Sequence, residues 1–409
     1  MLNFFTKLIL KKYQPRIIGI AGGIGKTCTR EAVCLALSST YTVRRNTGDK
    51  GIYREILFTI IGFDGRRQSF LSLCKVYFKA LKLLIFRDYD YPQIIVLEMT
   101  VERRGQMKKI LKILKPAIGV ITSVGPVYAD YFHSIDEIID EKGKLVSGLS
   151  KNDWTILNID DKNAGKIKKN TVSNILTYGF KNKADLTATD IRLTYVEDDQ
   201  DARNLRGLSF TVRYKDQSAP VFLPSSLGIG QVYAVLAGMA CGIIYGLDFN
   251  ELATRMGALP ILPGRMNLKT GGRQTTIIDN TYQISPAVVA AALDVLAEIS
   301  VKSPGRKIAI IGDMPHLGHY SLELHQAAGK LVGGLNLDLL IVVGEKSRDI
   351  ARAAKVAGMS ENKIAHYAFA EQVIKDISKI IQTGDLILII GSIKMKMYLI
   401  TNEITKHLV

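Results

Sequence analysis

The chain is short of several things, and each shortage excludes a class of protein. Four cysteines occur in 409 residues, Cys28, Cys34, Cys74 and Cys241, with no CxxC spacing and no histidine-rich companion. That pattern excludes a disulfide framework or zinc ribbon and reads as buried thiols of a reducing compartment. Acid is scarce against base: 38 Asp and Glu stand against 54 Lys and Arg, a formal net charge of +16. The excess suits anionic partners such as nucleotides or anionic lipid surfaces. It is dispersed along the chain, and with no arginine-rich or RRM-type motif, nucleic acid is not expected as a partner. No secretory leader, membrane-spanning run or internal repeat is evident. Hydrophobic residues at 47% and charged residues at 22% describe a globular chain. Its length predicts two or more domains.

What is present is organised around Ile17-Ile18-Gly19-Ile20-Ala21-Gly22-Gly23-Ile24-Gly25-Lys26-Thr27. An apolar run predicts a buried strand, a glycine-rich turn follows, and Lys26-Thr27 opens a helical pattern through Leu37. This is the setting of a phosphate loop, in which glycines let backbone N–H groups face phosphate oxygens at a helix N-terminus. Lys26 would reach the outer phosphates and the Thr27 hydroxyl would take Mg²⁺. Ile20 stands where the full Walker spacing has its first glycine.

A strand at Tyr41–Arg45 and a long amphipathic helix from Phe70 to Ile85 follow. The next strand, Gln93–Met99, places the carboxylate of Glu98 at its carboxyl end, where open α/β sheets bind ligands. Further strands at Ala117–Thr122 and Trp154–Asn158, with a helix through Ile135–Val146 between them, predict a parallel sheet covered by helices. From Asn174 to Pro224 short alternating strands predict an antiparallel extension of that sheet. The segment Leu259–Arg265, with Pro260 and Pro263, reads as a hinge. Beyond it, strands at Thr276–Asn280, Lys307–Asp313, Asp338–Gly344 and Asp385–Ile390 alternate with helices, one of them capped by Ser285-Pro286.

The expected architecture is therefore α/β: a basic amphipathic helix over residues 1–15, a P-loop parallel-sheet domain with its antiparallel extension over 16–262, and a Rossmann-like domain over 263–409. Residues 1–13 alternate lysines with apolar residues at helical spacing. They are too few to span a bilayer, but suit either its surface or a seat on the first domain.

Taken in order, these motifs resemble the Mur ligase family over residues 16–400. Gly22-Gly23-Ile24-Gly25-Lys26-Thr27 is similar to its ATP loop, and Val96-Leu97-Glu98-Met99 to its magnesium-binding strand end. Ile121-Thr122-Ser123-Val124-Gly125 resembles the strand before its metal-ligand turn. Lys142-Gly143-Lys144-Leu145 is similar to the stretch holding its carbamylated lysine. Leu157-Asn158-Ile159-Asp160-Asp161 and Gly230-Gln231-Val232-Tyr233 resemble the adenine side of its pocket. Gly264-Arg265-Met266 looks like its phosphate-contacting arginine, and Asp279-Asn280-Thr281-Tyr282 like its ribose motif. Gly312-Asp313-Met314, Leu317-Gly318 and Gly391-Ser392 look like the signature of its closing domain.

The resemblance implies an ATP- and Mg²⁺-dependent carboxylate–amine ligase working through an acyl phosphate, with ATP in a cleft between the two domains. Within the family it points to the branch that adds a D-alanyl-D-alanine-type dipeptide to a peptidoglycan precursor. The implied partners are a small-molecule or peptidyl-nucleotide carboxylate and a dipeptide amine. The implied protein is a cytoplasmic monomer, held at the inner face of the membrane if residues 1–13 lie on it. Lys26, Lys142 and Arg265 would be catalytic. Gly22, Gly23, Gly25, Lys26, Thr27, Asn158, Gln231, Arg265 and Asp279 would bind the nucleotide. Thr27, Glu98, a carbamylated Lys142 and Asp130 would hold metal.

The chain departs from the family pattern at several of these places. Tyr128-Ala129-Asp130 stands where a metal-binding histidine is usual, Asn280 where a second aspartate is, His316 for a glutamate and Ile390 for a lysine. Only some fifteen residues precede the first strand, so no UDP-gripping domain is expected before it. Two alternatives stand beside the main reading: a ligase of the same fold for another carboxylate, and a nucleotide-binding scaffold without activity.

Overall fold

The computed structural model describes residues 1–47, 52–63, 70–125, 129–196 and 200–406. Contacts divide the chain into two compact units. One holds residues 1–189, 211–221 and 230–259, the other residues 190–210, 222–229 and 260–409.

The first part of the chain runs α1 (Leu2–Tyr13), β1 (Arg16–Ala21), α2 (Lys26–Leu37), β2 (Val43–Arg45), α3 (Tyr53–Ile61) and α4 (Phe70–Ile85). It continues β3 (Ile94–Glu98), α5 (Gln106–Leu111), β4 (Ile118–Ile121), α6 (Ile135–Ser147), β5 (Trp154–Asn158) and α7 (Lys162–Ile167). Then come β6 (Asn174–Gly179), β7 (Leu186–Tyr195), β8 (Leu205–Tyr214), β9 (Gln217–Pro224), α8 (Ile229–Ile244) and α9 (Phe249–Met256). The sheet order is β2-β3-β1-β4-β5-β6-β7-β8-β9. β1 pairs with β3 and β4 in parallel, so successive crossovers leave it toward opposite edges. That reversal opens a crevice at the carboxyl end of β1, where the glycine turn begins. Strands buried on both faces favour apolar residues at successive positions, which is why β1, β3 and β4 are rich in Ile, Val and Leu without polar alternation until Glu98 ends β3.

One expectation changes in this sheet. The sheet does not turn antiparallel at Asn174: β6 pairs with β5 in parallel, and β7 begins in parallel with β6 at Tyr178↔Leu186. Period-two alternation fixes which face a residue joins, but not the strand's direction. The antiparallel extension follows β7. The nine residues between Tyr195 and Leu205, where the Val196 N–H donates to the Asn204 carbonyl at 2.8 Å, and the two residues Lys215-Asp216 are links too short for a parallel crossover between the neighbours β7, β8 and β9. The segment forming α3 carries almost continuous apolar residues, so periodicity alone could not separate helix from strand there.

The second unit's sheet contains β10 (Asn267–Thr270), β11 (Thr276–Asn280), β12 (Lys307–Gly312), β13 (Leu339–Val343), β14 (Ile364–Tyr367) and β15 (Leu386–Ile390). The helices are α10 (Pro286–Glu298), α11 (Ser321–Gly333), α12 (Arg348–Val356), α13 (Ala370–Ile380) and α14 (Tyr398–Lys406). Its order is β10-β11-β15-β12-β13-β14, parallel from β11 onward, with β10 antiparallel at the edge. Ser285 caps α10 by accepting the Val288 N–H, with Pro286 in the first turn as its fixed φ favours.

Among the described residues no helix is long and apolar enough to cross a membrane. None of the four cysteines is in a disulfide. Cys28, Cys34 and Cys241 are buried as expected, and burial pushes the Cys34 thiol up to about 12. Cys74 is a correction: it lies exposed on the outer face of α4, a position that cysteine content alone does not reveal.

Candidate functional site

The glycine turn is built against β4. Gly22 runs so close to that strand's end that a Cβ there would sit 2.0 Å from Thr122 Oγ1. Gly25 caps α2 at φ 85°, a left-handed conformation that favours glycine. The Gly23 N–H donates to the Ser123 carbonyl (2.6 Å), the Ile24 N–H to Ser123 Oγ (3.1 Å), and Thr122 Oγ1 to the Ile24 carbonyl (2.7 Å). Four bonds or close approaches thus hold the turn open with no ligand needed. A glycine cap supplies no side-chain acceptor for the first-turn N–H groups of α2, which leaves that end electropositive.

Two lysines converge on this turn. Lys26 Nζ donates to the Gly23 carbonyl at 3.1 Å, and Lys142 Nζ, from α6, to the Gly22 carbonyl at 3.0 Å. Lys142 is 2% exposed. Burial and the neighbouring charge of Lys26 push its amine down to about 7. Glu141 next to it offers little relief, because its carboxylate accepts the Gly105 and Met107 N–H groups (3.0 and 2.8 Å) and pairs with Lys144. A buried amine near neutrality is a nucleophile at physiological pH, the state a lysine needs to take up CO₂.

Glu98 ends β3 beside β1, in register with Ile20, and is 2% exposed. Its Oε2 lies 3.4 Å from Arg30 Nη1, and Arg30 also holds Glu31 at 2.9 Å, which Arg45 Nε meets at 3.0 Å. Asn46 fixes the Glu98 backbone through both its N–H (2.9 Å) and its carbonyl (3.1 Å). Sequence reasoning named Glu98 but missed Arg30, whose place one helical turn after Lys26 on the same face was the available signal. Thr27 is buried in the first turn of α2, 8% exposed. Asp130 lies exposed on a single turn at Ala129–Tyr131. Tyr128 falls outside the described residues.

Among the described residues no cluster of three or more His, Cys, Asp or Glu could hold a metal by itself. Magnesium held with a nucleotide rarely needs one, since substrate phosphates and one or two protein oxygens complete its shell. The donor set of Thr27 and Glu98 fits that mode, with Arg30 as the cation Glu98 holds meanwhile.

At the end of β5, Asn158 is buried and its Oδ1 accepts the Asp160 N–H at 3.1 Å. Asp160 in turn gathers the N–H groups of Phe180 and Asn182 (2.7 Å each) and the Tyr233 hydroxyl (3.1 Å). Tyr233 stacks on Phe180 with ring centroids 4.5 Å apart. Gln231 is half-buried on α8, two residues before that tyrosine.

In the second unit, the Arg265 guanidinium lies 3.6 Å from the centre of the Tyr282 ring, and its Nη1 donates to the Pro263 carbonyl at 3.3 Å. Asp279 is 2% exposed and accepts from Lys269 Nζ and Thr281 Oγ1, both at 2.7 Å. Lys269 on β10 was not foreseen; it pairs because β10 runs antiparallel alongside β11. Asn280 is buried beside it and accepts the Gly391 N–H through its carbonyl at 3.1 Å. Ile390 is enclosed within β15, and His316 Nε2 lies 3.4 Å from Lys394 Nζ.

Comparison with known proteins gives one answer. A model of the Mur ligase middle domain matches residues 20–242, and one of the Mur ligase glutamate ligase domain matches residues 264–393. The UDP-N-acetylmuramoyl-tripeptide–D-alanyl-D-alanine ligase of Bacillus subtilis is 24% identical, over 100% of this chain and 79% of the relative. The solved MurF ligase of Thermotoga maritima, in complex with ADP, superposes with TM-score 0.78 at 22% identity, over 100% of this chain and 83% of that one. MurF of Acinetobacter baumannii gives 0.79 at 20% identity, over 99% and 80%. At those identities the superpositions establish the fold.

Proposed function

We propose a function from one premise: the chain belongs to the Mur ligase family. The reading is an ATP-dependent carboxylate–amine ligase that adds a D-alanyl-D-alanine-type dipeptide to a peptidoglycan precursor, as the named relatives do. The observation that carries it is the pair of lysines, Lys26 and Lys142, bonded to adjacent carbonyls of the glycine turn.

In this reading a substrate carboxylate oxygen attacks the γ-phosphorus of ATP, the bond to the β–γ bridging oxygen breaks, and ADP leaves. The amine nitrogen then attacks the acyl carbon, loses a proton to solvent, and the C–O bond to phosphate breaks. Such transfers need charge neutralisation and alignment more than covalent help. Gly22, Gly23 and Gly25 let backbone N–H groups approach the phosphates. Lys26 exchanges its Gly23 carbonyl for a phosphate oxygen. Arg265 supplies the second unit's cation, Asp279 its ribose contact, and Asn158 and Gln231 the adenine contacts. Mg²⁺ would neutralise phosphate charge there, held by Thr27 and Glu98, with Asp130 and a carbamate on Lys142 as further oxygen ligands. The unprotonated Lys142 amine would add to CO₂ and release a proton, which turns a neutral buried amine into an anion.

The domains implied are residues 16–262 and 263–409. The protein is placed in the cytoplasm as a monomer, with residues 1–13 against the inner face of the membrane. A second reading, a nucleotide-binding scaffold without activity, is favoured by one observation: Glu98 and Asp279 are each already paired, with Arg30 and Lys269.

Phosphate release from ATP with Mg²⁺ tests both readings, with and without a UDP-muramoyl-tripeptide and D-alanyl-D-alanine. Release that needs both substrates and disappears in Lys26→Ala supports the ligase. Nucleotide binding without release under any acceptor supports the scaffold.

A further inference from the structure

Helices α1 and α4 lie side by side and run in the same direction: Phe5 meets Tyr77 with ring centroids 6.0 Å apart, and Tyr13 donates to the Leu83 carbonyl at 2.9 Å. Lys12 closes the carboxyl end of α4, donating to the carbonyls of Leu83, Leu84 and Phe86 at 2.8–2.9 Å. Both helices bury one face in the same core, through Ile9 on α1 and Val76, Ala80 and Leu83 on α4. Their other faces therefore lie together in solvent.

Those outer faces are unusual in two ways. Of the twenty large apolar side chains exposed among the described residues, five lie on these two helices, Phe4, Leu8, Phe78, Leu81 and Ile85, with Met1 and Phe86 at their ends. Phe4 is 63% exposed, Phe78 73% and Ile85 69%, values that a side chain facing only water does not favour in such number. Around them stand Lys7, Lys11, Lys75 and Lys82, all exposed. Residues 1–13 and 70–87 contain no Asp or Glu at all, and the nearest acids, Asp88 and Asp90, follow the end of α4. An apolar strip interleaved with lysines and free of carboxylates matches one chemistry, an interface of acyl chains beneath anionic head groups. A protein partner would have to bring carboxylates of its own to meet four lysines set among apolar side chains, whereas an anionic bilayer supplies acyl chains and charge together.

We propose that the outer faces of α1 and α4 together form a docking surface for an anionic lipid bilayer. The proposal deepens the membrane contact assigned above to residues 1–13 and rests on it, but makes α4 an equal contributor. Phe4 and Phe78 insert as apolar wedges, and Lys7, Lys11, Lys75 and Lys82 sit at the head groups.

The test is co-sedimentation of the full chain with vesicles of phosphatidylcholine, pure or mixed with phosphatidylglycerol, at low and high salt. Binding is expected only to the mixed vesicles and is expected to weaken with salt. On α4, the variant Lys75→Glu/Lys82→Glu should lower the partition by on the order of tenfold or more, as should Lys7→Glu/Lys11→Glu on α1. Phe78→Ser should also weaken binding while leaving salt sensitivity intact. All these side chains are exposed, and unchanged melting temperatures check that each variant folds. Absence of binding by the unaltered chain overturns both this proposal and the membrane contact of residues 1–13. Loss confined to the α1 variant overturns the shared surface and leaves the α1 contact standing. A concentration-dependent dimer dissolved by Phe78→Ser, without lipid binding, overturns the proposal in favour of a second copy.

Discussion

The carboxyl ends of the two sheets are furnished differently. In the first unit two lysines point at backbone carbonyls, and the nearest carboxylate, Glu141, is committed to N–H groups and Lys144. In the second unit the strand-end carboxylate Asp279 has its own cation, Lys269, and a hydroxyl besides. The first end presents two lysine side chains, Lys26 and Lys142, to an arriving anion. The second is balanced before anything arrives. Burying an amine as deeply as that of Lys142 is costly, so its persistence at the glycine turn points to use rather than to stability.

The largest effect expected on that contrast comes from Lys26→Ala. It should lower ligase turnover by about 10²–10³-fold, the usual cost of one donor to developing charge, read as phosphate release. Circular dichroism should be unchanged.

Next is the burial cost of Lys142. Its amine is held at about 7 against an ordinary 10.5, so the folded state binds fewer protons than the unfolded one between those values. The penalty is complete below pH 7 and is relieved as pH rises toward 10.5. In CO₂-free buffer Lys142→Met should therefore be the more stable protein at pH 6, by on the order of 3 kcal/mol. The gain should shrink through pH 8–10 in urea denaturation. A gain independent of pH would show that the amine is not the source, and the contrast between the two ends would lose its main support.

Glu98→Gln comes third. It removes the Glu98 charge from buried Arg30, which also holds Glu31, and should cost on the order of 2–3 kcal/mol. Much of that should return in the double variant with Arg30→Met. The smallest effect is Asp279→Asn, because its partner Lys269 is 35% exposed and solvent screens the loss. About 1 kcal/mol or less is expected by the same measurement. Equal costs for Glu98→Gln and Asp279→Asn would erase the distinction between the two sheets.

Much of the site was legible because its chemistry depends on local order. The strand, glycine turn and Lys26-Thr27 follow one another in the chain, and Glu98 and Asp279 announce themselves as carboxylates ending apolar strands. What the sequence did not carry was pairing across space. Arg30 beside Glu98, Lys269 beside Asp279 and the clasp of Thr122 and Ser123 on the glycine turn depend on which strands become neighbours. Strand direction was hidden for the same reason: alternation in β6 and β7 places their faces, whereas a parallel partner is chosen by the sheet. The second unit's alternation of strands and helices was plain, yet edge strand β10, only four residues long, was not.

The clasp between β4 and the glycine turn bears on kinetics. Because Ser123 and Thr122 keep the glycine turn shaped in advance, that turn need not fold as a nucleotide enters, and it loses little freedom on capture. The change left for the turn to make is one of hydrogen-bond partner, in which Lys26 leaves the Gly23 carbonyl for phosphate. Exchange of nucleotide should accordingly behave as a side-chain event, fast and weakly dependent on temperature, with the turn itself a fixed fixture of the sheet.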